Sequence, residues 1–308
     1  MDTLSPNTLN APNTPTASPD PAAIFHEHRP RLMALAYRML GSRADAEDVV
    51  QDAWLRWSAA RPEALQSAEA WLVTVATRLS IDRLRAAKTE RAHYTGFWLP
   101  EPLLTDGPDS PEHLLELAGD ISLAFLAVLE KLTPDERAAF LLREVFDADY
   151  PDIAQTLGKT QAACRQLVSR AKSQVRAEKT RFSVSREEHL QLLERFAAAA
   201  RGGDMAALKA LFSDDAALIS DGGGVVPSFG KIVRGAQRLA QLYYAVARRH
   251  GDAIRIEIAG INGTPGLLRF VNGQLESVQA IYFENGLVTE IRTQRNPHKL
   301  ARVLSQMT

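Results

Sequence analysis

Three Asn-Gly pairs, Asn262-Gly263, Asn272-Gly273 and Asn285-Gly286, stand between short runs in which apolar and polar residues alternate. Asn-Gly between alternating runs is the strongest short-range hairpin signal, because both residues accept the positive φ of a tight turn. The flanking runs carry Ile254, Ile256 and Ile258; Leu268 and Phe270; Val278, Ala280 and Tyr282; and Val288 with Ile291. They predict a curved antiparallel sheet. Helices are expected before it: one lined by Leu190, Leu193, Phe196 and Ala197 and ended by Gly202-Gly203-Asp204, one from Met205 to Phe212, and one from Gly235 to Arg249. Upstream, from Ile24 to about Arg91 and again from about Ile121 to Ala177, the apolar spacing is helical. At roughly 100–200 residues per domain, 308 residues make two or three domains. The order is therefore helical first and α+β last.

Charge and cysteine content narrow the classes. With 36 Lys and Arg against 37 Asp and Glu, the formal net charge is −1, which excludes a uniformly basic nucleic-acid coat but not a local basic element. Cys164 is the only cysteine, so an intrachain disulfide and a cysteine-based metal cluster are excluded and no metal is expected. No run of about 18 apolar residues is present, so no membrane span is expected. The first 20 residues hold four prolines among Asn, Thr and Ser and no Lys or Arg, unlike a secretory or transit peptide. A disordered tail over residues 1–22 and a cytoplasmic location are the expectations.

In the first helical segment, Leu32, Leu35, Ala36, Met39 and Leu40 recur at helical spacing and Gly41 offers a left-handed C-cap. Ser42-Arg43-Ala44-Asp45 starts a second helix with a capping-box shape. Ala46, Val50, Ala53, Trp54 and Trp57 fall on one face of it, with Glu47, Asp48, Gln51 and Asp52 on the other. Pro62 breaks the chain, and a third helix from about Ala68 to Lys88 turns Trp71, Leu72, Val75, Leu79 and Leu84 inward. Its outer end is basic through Arg78, Arg83, Arg85, Lys88 and Arg91 against Asp82 and Glu90. Taken singly, such patches are solvated helix faces.

Trp98-Leu99-Pro100-Glu101-Pro102-Leu103 interrupts the helices, since prolines on both sides of Glu101 forbid one there. A stiff spacer would suffice for that, but Phe97, Trp98, Leu99 and Leu103 are too apolar for a solvated one and are expected to dock. Thr133-Pro134-Asp135-Glu136 then starts a helix with a cap, Pro at N1 and acids in the first turn. Tyr150 to Gly158 and Lys159 to Arg176 have helix-turn-helix spacing. Between residues 159 and 181, Lys159, Arg165, Arg170, Lys172, Arg176, Lys179 and Arg181 face a single acid, Glu178. That local excess suits an element lying along phosphates in a major groove.

Residues 24–180 resemble an extracytoplasmic-function (ECF) RNA polymerase sigma factor. The likeness is carried by Ala46-Glu47-Asp48-Val49-Val50-Gln51-Asp52, by Ala70-Trp71-Leu72 with Ala76-Thr77-Arg78-Leu79 and Asp82-Arg83-Leu84-Arg85, and by the helix-turn-helix ending Ser169-Arg170-Ala171-Lys172. The resemblance implies that Glu47, Asp48, Gln51 and Asp52 dock on core RNA polymerase. It implies that Arg78, Arg83, Arg85 and Lys88, with the loop from about Arg61 to Ser67, meet the −10 element of promoter DNA. It also implies that Arg165, Gln166, Ser169, Arg170 and Lys172 meet the −35 element.

The remaining third resembles the SnoaL-like cone-shaped α+β barrels. The whole chain is similar to those ECF sigma factors that carry such a domain at the C-terminus, with the linker motif Trp98-Leu99-Pro100-Glu101-Pro102-Leu103. The barrel motif Asp221-Gly222-Gly223-Gly224 continues with Val225 where the family has Lys, and Asn296-Pro297-His298-Lys299-Leu300 has His298 where the family has Asp. The expected layout is a sigma region 2 helical domain over 23–94, a linker over 95–118, a sigma region 4 helix-turn-helix domain over 119–182 and a regulatory barrel over 186–308. Trp98, Leu99, Pro100 and Glu101 are expected to contact Asp221 to Gly224 and Asn296, Pro297 and Lys299, so that the barrel regulates in cis. The competing reading is an isomerase-like enzyme with a DNA-binding appendage, using Asp221 as base beside Tyr243, Tyr244 or His250. Those residues form no spaced constellation, so no catalysis and no cofactor are expected; a small ligand in the barrel is a third reading.

Overall fold

The computed structural model describes residues 20–60, 67–92, 94–105, 121–179 and 184–307. The expected N-terminal tail up to residue 19, the loop residues Arg61 to Gln66, the linker beyond Thr105 with Pro108 and Pro111, and Arg181 lie outside the described residues. So do the side chains of Lys88, Arg91 and Lys179.

Helices α1 (Pro21–Leu40), α2 (Arg43–Ala59) and α3 (Ala68–Ala92) form the first bundle. Asp20 caps α1 from outside, accepting from the Ala22 amide. Gly41 takes φ 65° at its end and Ser42 accepts from the Asp45 amide, so the turn between α1 and α2 is the one the sequence specifies. Trp57 is fully buried and stacks obliquely on Trp71, 5.6 Å between rings. Helices α4 (Leu123–Leu129), α5 (Pro134–Glu144), α6 (Tyr150–Leu157) and α7 (Gln161–Lys179) form the second bundle. Thr133 and Glu136 close a full capping box at α5, and Gly158 turns α6 into α7 with φ 62°. Cys164 is buried between them as a packing residue.

The C-terminal domain begins with α8 (Arg186–Gly202) and α9 (Met205–Leu211) and continues through α10 (Ala236–His250). Its strands are β1 (Phe212–Asp221), β2 (Val233–Arg234), β3 (Ile254–Ile261), β4 (Thr264–Val271), β5 (Gln274–Glu284) and β6 (Leu287–Gln294), and α11 (Pro297–Ser305) ends the fold. The sheet runs β2-β1-β6-β5-β4-β3. All three Asn-Gly pairs make two-residue turns with both φ values positive, pairing Ile261 with Thr264, Val271 with Gln274 and Glu284 with Leu287.

Two features depart from the expected antiparallel sheet. Strand β1 was not anticipated, because Ser213, Asp214 and Asp215 mask its alternation; its apolar run begins only at Ala216. It pairs with β6 in parallel, Asp221 beside Gln294. A parallel pair needs a long crossover, and the chain from β2 through β5 supplies it. The edges β2 and β3 are not hydrogen-bonded to each other, so the cone is open on that side.

One hydrophobic core crosses the modules. Leu32, Leu35 and Trp57 of the first bundle and Leu126, Leu129 and Phe140 of the second are continuous with Ile261, Phe270, Val278, Tyr282, Leu300 and Val303 of the sheet domain. A second core, around Phe196, Phe212, Tyr243 and Phe283, belongs to the sheet domain alone.

Candidate functional site

The extended segment 97–105 threads between the first bundle and the sheet domain. Pro100 and Pro102 keep it out of helix, so its backbone groups must find partners elsewhere. They do. The Glu101 amide donates to Gly41 O (2.8 Å), the Thr105 amide to Gly260 O (2.9 Å) and the Asn262 amide to Leu103 O (2.9 Å). Leu99 and Leu103 are buried, and Trp98 lies so close to Gly41 that a Cβ there would meet its ring at 2.9 Å.

Asp221, 0% exposed at the end of β1, organises the sheet side. Its Oδ1 accepts from the Tyr94 hydroxyl (2.7 Å) and the Gly223 amide (2.9 Å). Its Oδ2 accepts from the Leu99 amide (2.9 Å), Gln294 Nε2 (3.2 Å) and Lys299 Nζ (2.8 Å). Lys299 also donates to Leu99 O (2.6 Å) and sits 4.1 Å from the centre of the Trp98 ring. Asn296 caps α11, with Pro297 at its first turn, and donates to the Tyr94 hydroxyl (3.0 Å). The glycines let backbone approach closely: a Cβ on Gly222 would strike Val226 O and one on Gly223 the Asn296 side chain, both at 2.4 Å, while Gly224 faces Thr95. The side chains of Val225 and His298, where the family pattern is broken, are exposed and lie outside these bonds, although the His298 amide donates to the Asn296 cap. With all five donors on its carboxylate, Asp221 points at the linker, outside the cavity of the sheet domain.

Glu101 faces the other way, into the first bundle. It is 3% exposed, and its Oε2 accepts from the Arg43 amide (2.9 Å) at the start of α2, where orphan amides favour an anion. Burial nevertheless pushes its carboxyl above the ordinary value. Arg302 of α11 lies 3.6 Å from it and 2.8 Å from Glu47. Burial pushes Glu47 up, but hydrogen bonds from Arg302 and Arg43 outweigh that and hold it below the carboxylate range.

Within the first bundle the basic face of α3 meets the acidic face of α2, and other residues of α3 reach the second bundle. Arg83 reaches across to Asp45 (3.1 Å), Asp48 (3.0 Å) and Asp52 (4.0 Å), while Gln51 stays exposed. Arg78 donates to Thr156 O and Gln155 O, both 2.9 Å, the carbonyls left unsatisfied at the C-terminal end of α6. Thr74 and Thr156 hydroxyls meet at 2.9 Å and Arg85 pairs with Asp135 at 3.1 Å. On α7, Arg165, Gln166, Ser169 and Arg170 lie on the exposed face; Arg165 stacks on Tyr150, Arg170 pairs with Glu136 and Lys172 with Glu144.

Sequence reading missed several of these partners. Asn262 was legible only as a turn residue, yet its side chain, 1% exposed, accepts from the Leu103 amide (2.9 Å) and donates to the Tyr37 hydroxyl (2.7 Å) and Ile121 O (3.1 Å). Arg292 donates to Leu123 O at 3.0 Å. Arg302 lies two residues beyond a motif taken to end at Leu300, and Gln294 two residues before it starts.

A cavity of about 520 Å³ opens inside the sheet domain. Leu218, Leu242 and Val271 line it, with a hydrogen-bonded Tyr243–Gln279 pair (3.0 Å). Burial pushes the Tyr243 hydroxyl well above the ordinary tyrosine value. Among the described residues no group of His, Cys, Asp and Glu could hold a metal, and no helix is long and apolar enough to cross a membrane.

The family model for sigma-70 region 2 matches residues 24–90 and that for sigma-70 region 4 matches residues 122–175. The chain is 36% identical over 288 residues to the ECF RNA polymerase sigma factor SigJ of Mycobacterium tuberculosis, covering 89% of this chain and 91% of that protein. It is 31% identical to the probable ECF sigma factor SigI of the same species, over 91% of this chain and 94% of that one. The crystal structure of M. tuberculosis SigJ superposes with a TM-score of 0.73 at 33% identity, over 91% of this chain and 98% of that chain. An acidic helix, a basic helix and a helix-turn-helix in this order have one setting in common: the chain belongs to the extracytoplasmic-function family of RNA polymerase sigma factors, which bind core polymerase and direct it to promoter DNA.

Proposed function

We propose that this sigma factor rests in a closed arrangement, with its two promoter-reading modules packed on each other and the sheet domain clasping the linker between them. The observation that carries this reading is Arg78. A basic residue assigned by family resemblance to the −10 element spends its guanidinium on the backbone of the helix-turn-helix. With Nε and Nη2 spent on those carbonyls, the guanidinium is held at the helix-turn-helix and not presented freely to a phosphate. Within its own bundle, Arg83 is engaged by the acidic face of α2, through which Glu47, Asp48, Gln51 and Asp52 dock on polymerase in this reading. The exposed Arg165, Gln166, Ser169 and Arg170, with Lys172, take the −35 element in this reading, while Arg78 ties the −10 module to the helix-turn-helix.

In this reading the sheet domain regulates in cis. Asp221 and Lys299 fix the linker at Leu99, Glu101 and Arg302 fix it at α2, and Asn262 ties it to Tyr37. The open state requires those bonds to release together. A small ligand in the cavity belongs to the same reading, as the signal that would act on the clasp.

A reversible lock tests the closed arrangement. Thr74→Cys with Thr156→Cys places two thiols where hydroxyls lie 2.9 Å apart, and Cys164 is buried and gives no competing bridge. Run-off transcription with core polymerase should fall at least tenfold on oxidation and return on reduction. Full activity from the oxidised chain, with the cross-link verified by mass, would overturn the reading.

A further inference from the structure

The cavity and the linker clasp share two strands, and along each strand they take alternate residues. On β6 and the residue after it, Thr293 and Arg295 line the cavity. Gln294 donates instead to Leu99 O (3.3 Å), Pro100 O (3.4 Å) and Asp221, and Asn296 donates to Tyr94. On β1, Ser220 lines the cavity and Asp221 holds the linker. Successive side chains of a strand point to opposite faces, so one stretch of backbone serves both. The coupling is short: the Arg295 amide donates to Asp221 O at 2.7 Å, and the Arg295 guanidinium bonds Pro227 O in the loop that follows the three glycines.

The chemistry of the cavity selects a class of occupant. One side is aliphatic, from Leu218 on β1, Leu242 and Val246 on α10 and Val271 on β4. The other carries Arg269 and Arg295, both paired with a single acid, Glu276, at 2.6 and 2.5 Å. Burial pushes Glu276 up, but the two guanidiniums outweigh it and hold the carboxyl below its ordinary range, so it is ionised. With Arg249 also on the lining, three guanidiniums stand against one carboxylate and leave positive charge uncompensated in a partly dry site, where it is felt more strongly than in water. Beside it, the Thr293 hydroxyl is buried without a hydrogen-bond partner, and a buried polar group normally has one. A volume of about 520 Å³ lies within the range of small-molecule sites, roughly 300–1,000 Å³.

Resting on the clasped arrangement proposed above, we infer that the cavity binds a small amphipathic carboxylate, with its head on Arg295 and Thr293 and its apolar body against α10, and that binding loosens the linker. The carboxylate competes with Glu276 for Arg295. Arg295 then turns from Pro227 and draws on its own amide, which bonds the clasp residue Asp221.

The full chain is titrated with decanoate and 2-naphthoate as probes and with 1-decanol as the neutral control, by calorimetry. Hydrogen exchange at the Leu99 amide is followed in parallel. Both carboxylates should bind with micromolar dissociation constants, decanol at least tenfold more weakly, and saturation should speed Leu99 exchange at least tenfold. Thr293→Val, which keeps the shape, should weaken decanoate three- to tenfold. Leu242→Trp should fill the cavity and abolish binding. Decanol binding as tightly as decanoate, or no binding of either carboxylate at 1 mM, overturns the ligand class. Binding that leaves Leu99 exchange unchanged overturns the coupling. None of these results bears on the cysteine lock, which is read without any ligand.

Discussion

Asp221→Asn keeps the shape of the clasp and removes its charge. Lys299, whose side chain is 13% exposed, then loses its anion at 2.8 Å and keeps Leu99 O and the faces of the Trp98 and Tyr94 rings. Removing one member of a buried ion pair costs about 3–5 kcal/mol. These remaining contacts of Lys299 put the expected cost at the low end, about 3 kcal/mol. In the reverse variant, Lys299→Met, Asp221 keeps four neutral donors, from Tyr94, Leu99, Gly223 and Gln294. One lost charge-assisted bond is then expected to cost about 1.5–3 kcal/mol. The double variant leaves no stranded charge, so its cost should fall short of the sum by at least about 1.5 kcal/mol. Because the chain has several modules, a single global unfolding energy is not well defined, and native-state hydrogen exchange is the suitable assay. The Glu101 and Thr105 amides report linker release without touching Asp221, since they donate to Gly41 O and Gly260 O. At about 1.4 kcal/mol per tenfold, Asp221→Asn should speed their exchange by on the order of 100-fold. A change below threefold, or strict additivity in the double variant, would refute the pair as the centre of the clasp.

Asn262→Gly keeps the turn but strands the Leu103 amide and Ile121 O, while the Tyr37 hydroxyl keeps its bond to Glu101 O. At about 1–3 kcal/mol per buried unsatisfied group, Thr105 exchange should rise as steeply as in Asp221→Asn, whereas the same change at Asn272 should do little. Arg165→Ala should relax preference at one base pair of the −35 element by about 1–3 kcal/mol, and Lys172→Ala should weaken all sequences alike and flatten the salt dependence; identical profiles across a promoter library would contradict that division. Acid should open the cavity wall. Glu276 binds its proton more weakly folded than unfolded, so the unfolded state holds more protons between the two values. Its contribution is whole above the ordinary 4.5 and is lost as pH falls through the depressed folded value. Glu276→Gln should flatten that acid limb in a pH series of thermal melts. Glu101, raised by burial, acts in the opposite sense, since its contribution is lost as pH rises through its folded value.

The elements legible in the sequence were those with local causes. Gly41, Ser42, Thr133 and Gly158 specify helix ends by conformation and capping, and the Asn-Gly pairs specify turns, so each needs only its neighbours. The fold class followed from where the period changes. Strand β1 was not legible because half of it carries acids and because its parallel partner lies some seventy residues away. The clasp was readable in outline, as an apolar linker that must be covered, through family resemblance at Asp221 and Lys299. Its bonding was not readable. Asn262 looked fully explained as a turn residue, and nothing local signals that its side chain also joins three segments. The closure of the basic α3 on the helix-turn-helix was equally hidden, since a charged helix face reads the same whether it meets water, DNA or another helix.

The position of α11 has a consequence in time. Lys299 and Arg302, which secure the linker and the acidic helix, are added to the chain only after both sigma bundles. The bundles are complete by Lys179, about 120 residues earlier. At a synthesis rate of about 5–20 residues per second, the promoter-reading half exists for roughly 6 to 24 s before its restraint does. A newborn chain therefore passes through an interval as an unrestrained sigma factor. Polymerase met during translation encounters a different molecule from polymerase met afterwards.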